Sequence, residues 1–185
     1  MNEPQLIECF PHTILASASP RRAALLRQIG LDFQVYPSGV LEDIMVRPSP
    51  LMVTSELAML KARAVRDRVN RGLIIAADTV VVINQQILGK PNSASHAIQI
   101  LKRLSGTHHE VITGTVLLDL DRNRERAWTE TTRVYFRELH AAEIFEYVRS
   151  QDFVDKAGGY GIQGRAGAFV SRIEGCYFNV VGLPL

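Results

Sequence analysis

The run Leu73-Ile74-Ile75-Ala76-Ala77-Asp78-Thr79-Val80-Val81-Val82-Ile83 has no alternation of polar and apolar positions and is rich in β-branched residues. That pattern predicts a strand covered on both faces. One carboxylate, Asp78, stands in its middle. A lone ionised carboxylate in a packed interior costs several kcal/mol unless cations, metal or amide donors compensate it. Two readings follow: Asp78 ends one strand and caps a turn, or it points into a polar cleft cut into the sheet.

Ahead of this strand, Thr13-Ile14-Leu15-Ala16 predicts a short buried strand. The turn Ser17-Ala18-Ser19-Pro20-Arg21-Arg22 and the periodic positions Ala23, Leu25, Leu26 and Ile29 then predict a helix closed by Gly30. Ser19 is the expected N-cap and Gly30 the C′ residue. Pro20 takes the first helical position, where its missing N–H is harmless. Phe33 to Tyr36 reads as a second strand, and Gly39 to Pro50 as irregular chain carrying Glu42-Asp43. An amphipathic helix is expected from Pro50 or Thr54 to Val69, with Leu57, Lys61 and Val65 spaced by four. Lys61 beside that apolar stripe can snorkel to water or reach inward to an anion.

Beyond the central strand, Asn84-Gln85 marks a hairpin without the favoured glycine, and Gln86-Ile87-Leu88 pairs back toward Gly89-Lys90-Pro91. Asn92 or Ser93 can cap a helix with the face Ala94, Ala97, Ile98, Leu101 and Leu104, stopped at Ser105-Gly106. Val111 to Leu120 and Thr129 to Arg137 read as antiparallel strands around a charged turn. A short helix from Ala141 to Val148 shows Ile144, Phe145 and Val148, with His140 a weak cap. A glycine-rich loop from Asp155 to Gly167 leads to two expected strands, Ala168 to Ile173 and Tyr177 to Val181. Mixed strands and helices, with a hairpin among them, predict an α/β fold with a mixed, elongated β-sheet and flanking helices. Repeats and long linkers are absent from the sequence, so residues 13–185 are expected to form a single domain after a lead-in of residues 1–12.

Composition narrows the picture. The chain of 185 residues is 46 % hydrophobic and 22 % charged, as soluble globular domains are. Its 21 basic residues nearly balance 19 acidic ones, and a net charge of +2 does not point to direct nucleic-acid binding. Two cysteines, Cys9 and Cys176, demand no disulfide framework. The N-terminal stretch lacks the pattern of a signal peptide, and no apolar run reaches membrane-spanning length. A cytoplasmic protein without membrane contact is the expectation.

Three groups could carry chemistry. Ser17 through Arg22 joins hydroxyls, helix-start amides and two arginines, which suits a phosphate or carboxylate, or else is a capped helix whose arginines face water. Arg21, Arg22, Lys61, Lys90 and Lys156 all lie near element boundaries or apolar surface. They could together offset polyphosphate charge, or could each be solvated. The stretch Asp155-Lys156-Ala157-Gly158-Gly159-Tyr160-Gly161-Ile162-Gln163-Gly164 opens a region with five glycines between Gly158 and Gly167, against an average usage of about seven per cent. It reads as a ligand loop or a long structural turn, and matches neither a Walker A nor a dinucleotide fingerprint. The five histidines and two cysteines show no zinc spacing. Glu42, Asp78 and Asp155 suit a hard cation held partly by substrate phosphates. His108-His109 reads as surface or structural.

Taken in order, Leu15-Ala16-Ser17-Ala18-Ser19-Pro20-Arg21-Arg22, Glu56-Leu57-Ala58 with Lys61-Ala62, Ala77-Asp78-Thr79-Val80-Val81, Leu88-Gly89-Lys90-Pro91, Leu104-Ser105-Gly106, the Asp155–Gly164 loop and Asn179-Val180-Val181-Gly182-Leu183-Pro184 resemble the Maf family of nucleoside triphosphate pyrophosphatases over nearly the whole chain. The resemblance implies two lobes around a cleft, a homodimer, and kinship with inosine triphosphate pyrophosphatases. It implies hydrolysis of a nucleoside triphosphate to its monophosphate and pyrophosphate with a divalent cation, Mg²⁺ or Mn²⁺. Asp78 would be the catalytic base for water, with Lys61 and Lys90 polarising phosphates. Ser17, Arg21, Arg22 and Lys156 would bind phosphates, and Glu42, Asp78 and Asp155 would hold metal or water. Arg21, Thr79 and Gln163 match the branch acting on dTTP and UTP. The 7-methyl-GTP branch has tryptophan in place of the arginine and glutamine in place of the threonine. The same resemblance carries an alternative, a nucleotide-binding regulator of septum formation. Gln151-Asp152-Phe153 departs from the family's usual Gly-Glu-Pro and leaves local loop shape open. Exchange of Asp78 for Asn is expected to leave folding nearly intact and to lower dTTP turnover at least about a hundredfold.

Overall fold

The computed structural model describes residues 10–40 and 49–185. In chain order the elements are β1 (Thr13–Leu15), α1 (Pro20–Gln28), β2 (Gln34–Val35), α2 (Pro50–Arg66), β3 (Leu73–Ile83), β4 (Gln86–Leu88), α3 (Ala94–Leu104), β5 (His108–Asp119), β6 (Arg124–Phe136), α4 (Ala141–Arg149), β7 (Val170–Glu174) and α5 (Tyr177–Val181). The sheet runs β2-β1-β3-β5-β6-β7, with β4 pairing on β3. The β1–β2 and β1–β3 pairs are parallel, and the β3–β4 and β6–β7 pairs antiparallel. The mixed α/β sheet with flanking helices therefore stands as the pattern predicts. No helix among the described residues is long and apolar enough to cross a membrane.

The chain divides into two compact units. The first comprises Met1–Asp78, Thr113–Thr129 and Gly182–Leu185. Here β1 runs parallel to β3 with Ile14 opposite Ile74 and Leu15 opposite Ile75, and α1 and α2 lie on the intervening crossovers. Pro20 starts α1, but Ser19 makes no side-chain cap bond. Ser17 Oγ accepts from the Ser19 N–H instead, at 3.2 Å. At the other end Gly30 has φ +74°; its N–H donates to Arg27 O and that of Leu31 to Leu26 O. Those two bonds are a Schellman closure, which needs the left-handed residue that glycine supplies. Ser49 caps α2 by accepting from Met52 N–H at 3.3 Å. The buried face of α2 includes Ala58, Ala62 and Val65, packed with Ile14, Ala16, Ile74, Ala76 and Val116. Alanine on both surfaces allows close approach, and Gly114 of β5 carries this furthest: a Cβ there would run into the Thr54 backbone.

The second unit comprises Thr79–Ile112 and Glu130–Val181. The β3–β4 hairpin places Ile83 opposite Gln86, and Asn84 and Gln85 both take positive φ, 48° and 64°. Two left-handed residues in a two-residue loop make a turn of type I′, reached without glycine. Ser93 Oγ caps α3 by accepting from His96 N–H at 3.1 Å. The core joins Val81, Ile83, Leu88, Leu101 and Leu104 to a group of rings, His109, Phe136, Tyr147, Tyr160 and Phe169.

Three expectations change here. In α3, Ile100 is buried and Ala94 exposed; in α4, Tyr147 is buried and Phe145 is 60 % exposed. Both predicted faces were turned by part of a helical step. Tyr177–Val181 is helical, not a strand. A short apolar run does not distinguish the two by period, and tertiary bonds decide. Here the buried Asn179 amide donates to Val111 O at 2.9 Å and to Thr132 Oγ1 at 2.8 Å.

Candidate active site

Within the first unit, β3 remains a strand through Asp78 with no turn at that point, which removes the turn-cap reading. Asp78 and Lys61 are 5 % exposed, and Lys61 Nζ donates to Asp78 Oδ1 at 2.6 Å. The helix pattern explains how: Leu57, Lys61 and Val65 share one stripe of α2, and that stripe packs on the β3 face carrying Ile74 and Ala76. Asp78 follows those two residues at the strand period of two, so it meets the lysine where a hydrophobic contact would otherwise stand. Lys61 therefore reaches inward instead of snorkelling.

Ser17, Arg22 and Gly182 form a second cluster in the same unit. Arg22 Nε donates to Gly182 O at 2.8 Å, and Arg22 Nη1 donates to Ser17 Oγ at 3.1 Å. The guanidinium is buried, and these two bonds hold the β1–α1 turn to Gly182 near the C-terminus. Arg21, one position along α1, is half-buried. Gly182 belongs to the C-terminal motif, but its role as acceptor for Arg22 has no sequence signal, because a carbonyl acceptor leaves no side-chain signature.

Within the second unit the turn bearing Lys90 and the glycine-rich loop lie together. Gly158 N–H donates to Gly89 O at 3.2 Å, and a Cβ on Gly159 would stand 3.0 Å from Pro91 Cγ. Lys90 is exposed on this turn. Lys156 is half-buried and ion-paired to Asp152 at 3.2 Å. Asp152 also accepts from Arg165 N–H at 3.3 Å and abuts the Cα of Gly164. The residue that looked like a departure in the family pattern thus organises the loop, and its four-residue spacing from Lys156 was the available signal. Asp155, with φ +60°, and Gln163 are exposed. Thr79 is half-buried on β3. As strand neighbours, Asp78 and Thr79 project to opposite faces.

Glu42 lies outside the described residues. Among the described residues, no group of three or more His, Cys, Asp or Glu side chains is gathered for a metal ion. The donors expected of the family are nonetheless hard carboxylate oxygens, and Mg²⁺ commonly uses one or two carboxylates together with water and substrate phosphates. The chemistry of the donor set fits such an ion.

A family model described as Maf-like protein matches residues 12–185. The chain belongs to the Maf family. Among relatives, the dTTP/UTP pyrophosphatase of Ruminiclostridium cellulolyticum is 49 % identical, across 93 % of this chain and 90 % of that protein. The dTTP/UTP pyrophosphatase of Carboxydothermus hydrogenoformans is 47 % identical, across 92 % of this chain and 91 % of its own. That of a Geobacillus species is 48 % identical, across 93 % and 91 %. The solved structure of the Staphylococcus aureus Ham1 protein shares 14 % identity, covers 68 % of this chain and 71 % of its own, and has a TM-score of 0.48, too low to argue kinship from. In this Maf-family chain the motif residues fall into two sets, Ser17–Arg22 with Lys61–Asp78 in the first unit, and Lys90 with the Asp155–Gly164 loop in the second.

Proposed function

We propose that the chain hydrolyses dTTP and UTP to the nucleoside monophosphate and pyrophosphate. The observation that carries this reading is the Lys61–Asp78 pair, 2.6 Å long and with both side chains 7 % exposed, in a Maf-family chain whose relatives of nearly half identity are named for that activity. Water attacks the α-phosphorus, its proton passes to Asp78, and the α–β bridging oxygen leaves with its electron pair on pyrophosphate. Asp78 is suited to orient and deprotonate the water, since a carboxylate held by the Lys61 bond presents its oxygens in a defined direction. Lys61 and Lys90 offset charge developing on the phosphates. Arg21, Lys156 and the Ser17–Arg22 turn bind them, with Arg22 acting through the turn it holds. Asp78, Glu42 and Asp155 are the residues that would hold a divalent cation, Mg²⁺ or Mn²⁺, which would supply Lewis acidity.

Arg21, Thr79 and Gln163 support the pyrimidine branch over 7-methyl-GTP, which calls for tryptophan and glutamine at the first two positions. A homodimer and a cytoplasmic location complete the proposal. The test is pyrophosphate release from dTTP, UTP, 7-methyl-GTP and the other common triphosphates, with Mg²⁺ and with chelator. Rapid release from dTTP and UTP, abolished by chelator, is expected. Preference for 7-methyl-GTP would overturn the substrate assignment, and no release from any triphosphate would favour a binding role.

A further inference from the structure

Tyr160 sits in the middle of the Asp155–Gly164 loop, yet it is only 6 % exposed. Its ring meets Phe136 at 4.9 Å and His109 at 5.3 Å between centroids, both near perpendicular. Its hydroxyl lies 2.6 Å from His109 Nε2, and His109 on β5 is 1 % exposed. Burial pushes the Tyr160 phenol up, and burial with the neighbouring His108 holds His109 down at about 4. Both groups are therefore neutral near pH 7, and the bond between them is one that water cannot readily replace.

The residues flanking Tyr160 leave the backbone little room. Gly158 and Gly159 have φ of +68° and +70°. A Cβ on Gly158 would stand 2.9 Å from Val81 Cγ1. On the other side, a Cβ on Gly161 would stand 2.7 Å from Lys156 Cε and 2.9 Å from its Cδ. The methylene stem of Lys156 thus lies across the bare Cα of Gly161, while Asp152 holds its ammonium at 3.2 Å. One peptide bond separates that Cα from the anchored Tyr160.

We propose that His109 is a positioning residue: by holding the Tyr160 hydroxyl it fixes Gly161 beneath the Lys156 stem, and so sets where the Lys156 ammonium meets a substrate phosphate. His109 acts through Tyr160. The inference rests on the reading of Lys156 as a phosphate-binding group.

The test uses the full chain and four variants: Tyr160→Phe, His109→Leu, the two combined, and His109→Gln. Tyr160→Phe keeps the ring and its edge contacts and deletes only the hydroxyl. KM for dTTP is expected to rise about five- to tenfold in Tyr160→Phe and in His109→Leu, with kcat within about twofold, because a contact made equally in ground and transition states moves KM alone. The combined variant is expected to be no worse than either single one, since both break the same bond. His109→Gln, whose amide can reach the hydroxyl, is expected to restore most of the loss. An unchanged KM in Tyr160→Phe, additive losses, or no recovery with glutamine would overturn the proposal. A second measurement needs no turnover: acetylation of Lys156 by limiting acetic anhydride, followed by mass spectrometry against the exposed Lys102. Tyr160→Phe is expected to change the Lys156 rate about threefold and to leave Lys102 unaltered. A wild-type chain inactive on dTTP would sink the functional reading while leaving this labelling to decide; equal Lys156 rates in the two proteins would sink the positioning role itself.

Discussion

Asp78 and Lys61 offset each other at a depth where each alone would be costly, since both side chains are 7 % exposed. Removing one partner of a buried pair typically costs about 3–5 kcal/mol, because the other charge stays behind. Asp78→Asn is therefore expected to lower stability by roughly 3 kcal/mol, read as a fall in the urea midpoint. This revises the expectation from the sequence that the exchange would leave folding nearly intact. Turnover of dTTP, assayed where the variant remains folded, is expected to fall at least about a hundredfold. Combining Asp78→Asn with Lys61→Met removes both charges and should recover most of the stability but none of the activity. A single Asn variant as stable as the parent would show that Lys61 does not depend on Asp78 for compensation. The apolar run made Asp78 conspicuous, and the helix stripe made Lys61 so. That the two meet was not legible, because 17 residues separate them and only the packing of α2 on β3 joins them. Ser17 and Arg22 were legible as a polar turn, whereas the bond from Arg22 to Gly182 O was not.

Among the elements, specific turn chemistry and the short strands β1, β2 and β4 survived folding, whereas two helix faces turned and one short run changed type. The unbroken β3, the Asn84-Gln85 turn, the Ser93 cap and the Gly30 closure all follow from local rules that packing only reinforced. Tyr177–Val181 went the other way: its residue types favour a strand, but it is helical, and from that turn Asn179 bonds Val111 and Thr132. Gly114 is a case where a signal was present and unused, since glycine inside a strand pattern marks close backbone approach. Its partner is Thr54, in the first turns of the helix that carries Lys61. Gly114→Ala adds one methyl where the Thr54 backbone already stands, and overpacking of that kind costs about 1–3 kcal/mol. The expected result is a urea midpoint lowered accordingly, together with weakened dTTP turnover as α2 shifts. A midpoint equal to the parent's would mean that α2 can move aside without loss.

At the scale of the whole molecule the charges nearly cancel at pH 7, so the first response to acid is read from a few specific groups before net repulsion builds up. His109 is held at about 4 by burial and by His108, against an ordinary 6.5. Between those values the unfolded chain binds a proton that the folded chain refuses. Stability is then full above about pH 6.5 and declines toward pH 4, by roughly 3 kcal/mol at about 1.4 kcal/mol per pH unit. The groups around the imidazole sharpen this: His108 on the same strand disfavours the added charge, Tyr160 offers a neutral hydroxyl, and Phe136 offers a ring set near perpendicular and no charge. Glu143 acts in a lower window. Its bonds to the Arg137 guanidinium and to the His140 N–H hold it at about 2, so its contribution is present above about 4.5 and is lost as pH falls toward 2. Asp119 behaves in the same sense: burial works against its charged form, but bonds from Arg122 outweigh it and lower its pKa. The two windows can be separated by experiment. In the parent chain the urea midpoint is expected to fall between pH 6.5 and pH 4 and again below it. In His109→Gln, which has no proton to take up, the first decline should flatten while the second remains. Equal slopes in the two proteins above pH 4 would mean that the buried histidine accepts its proton without disturbing the fold, and that the acid response belongs to the surface carboxylates.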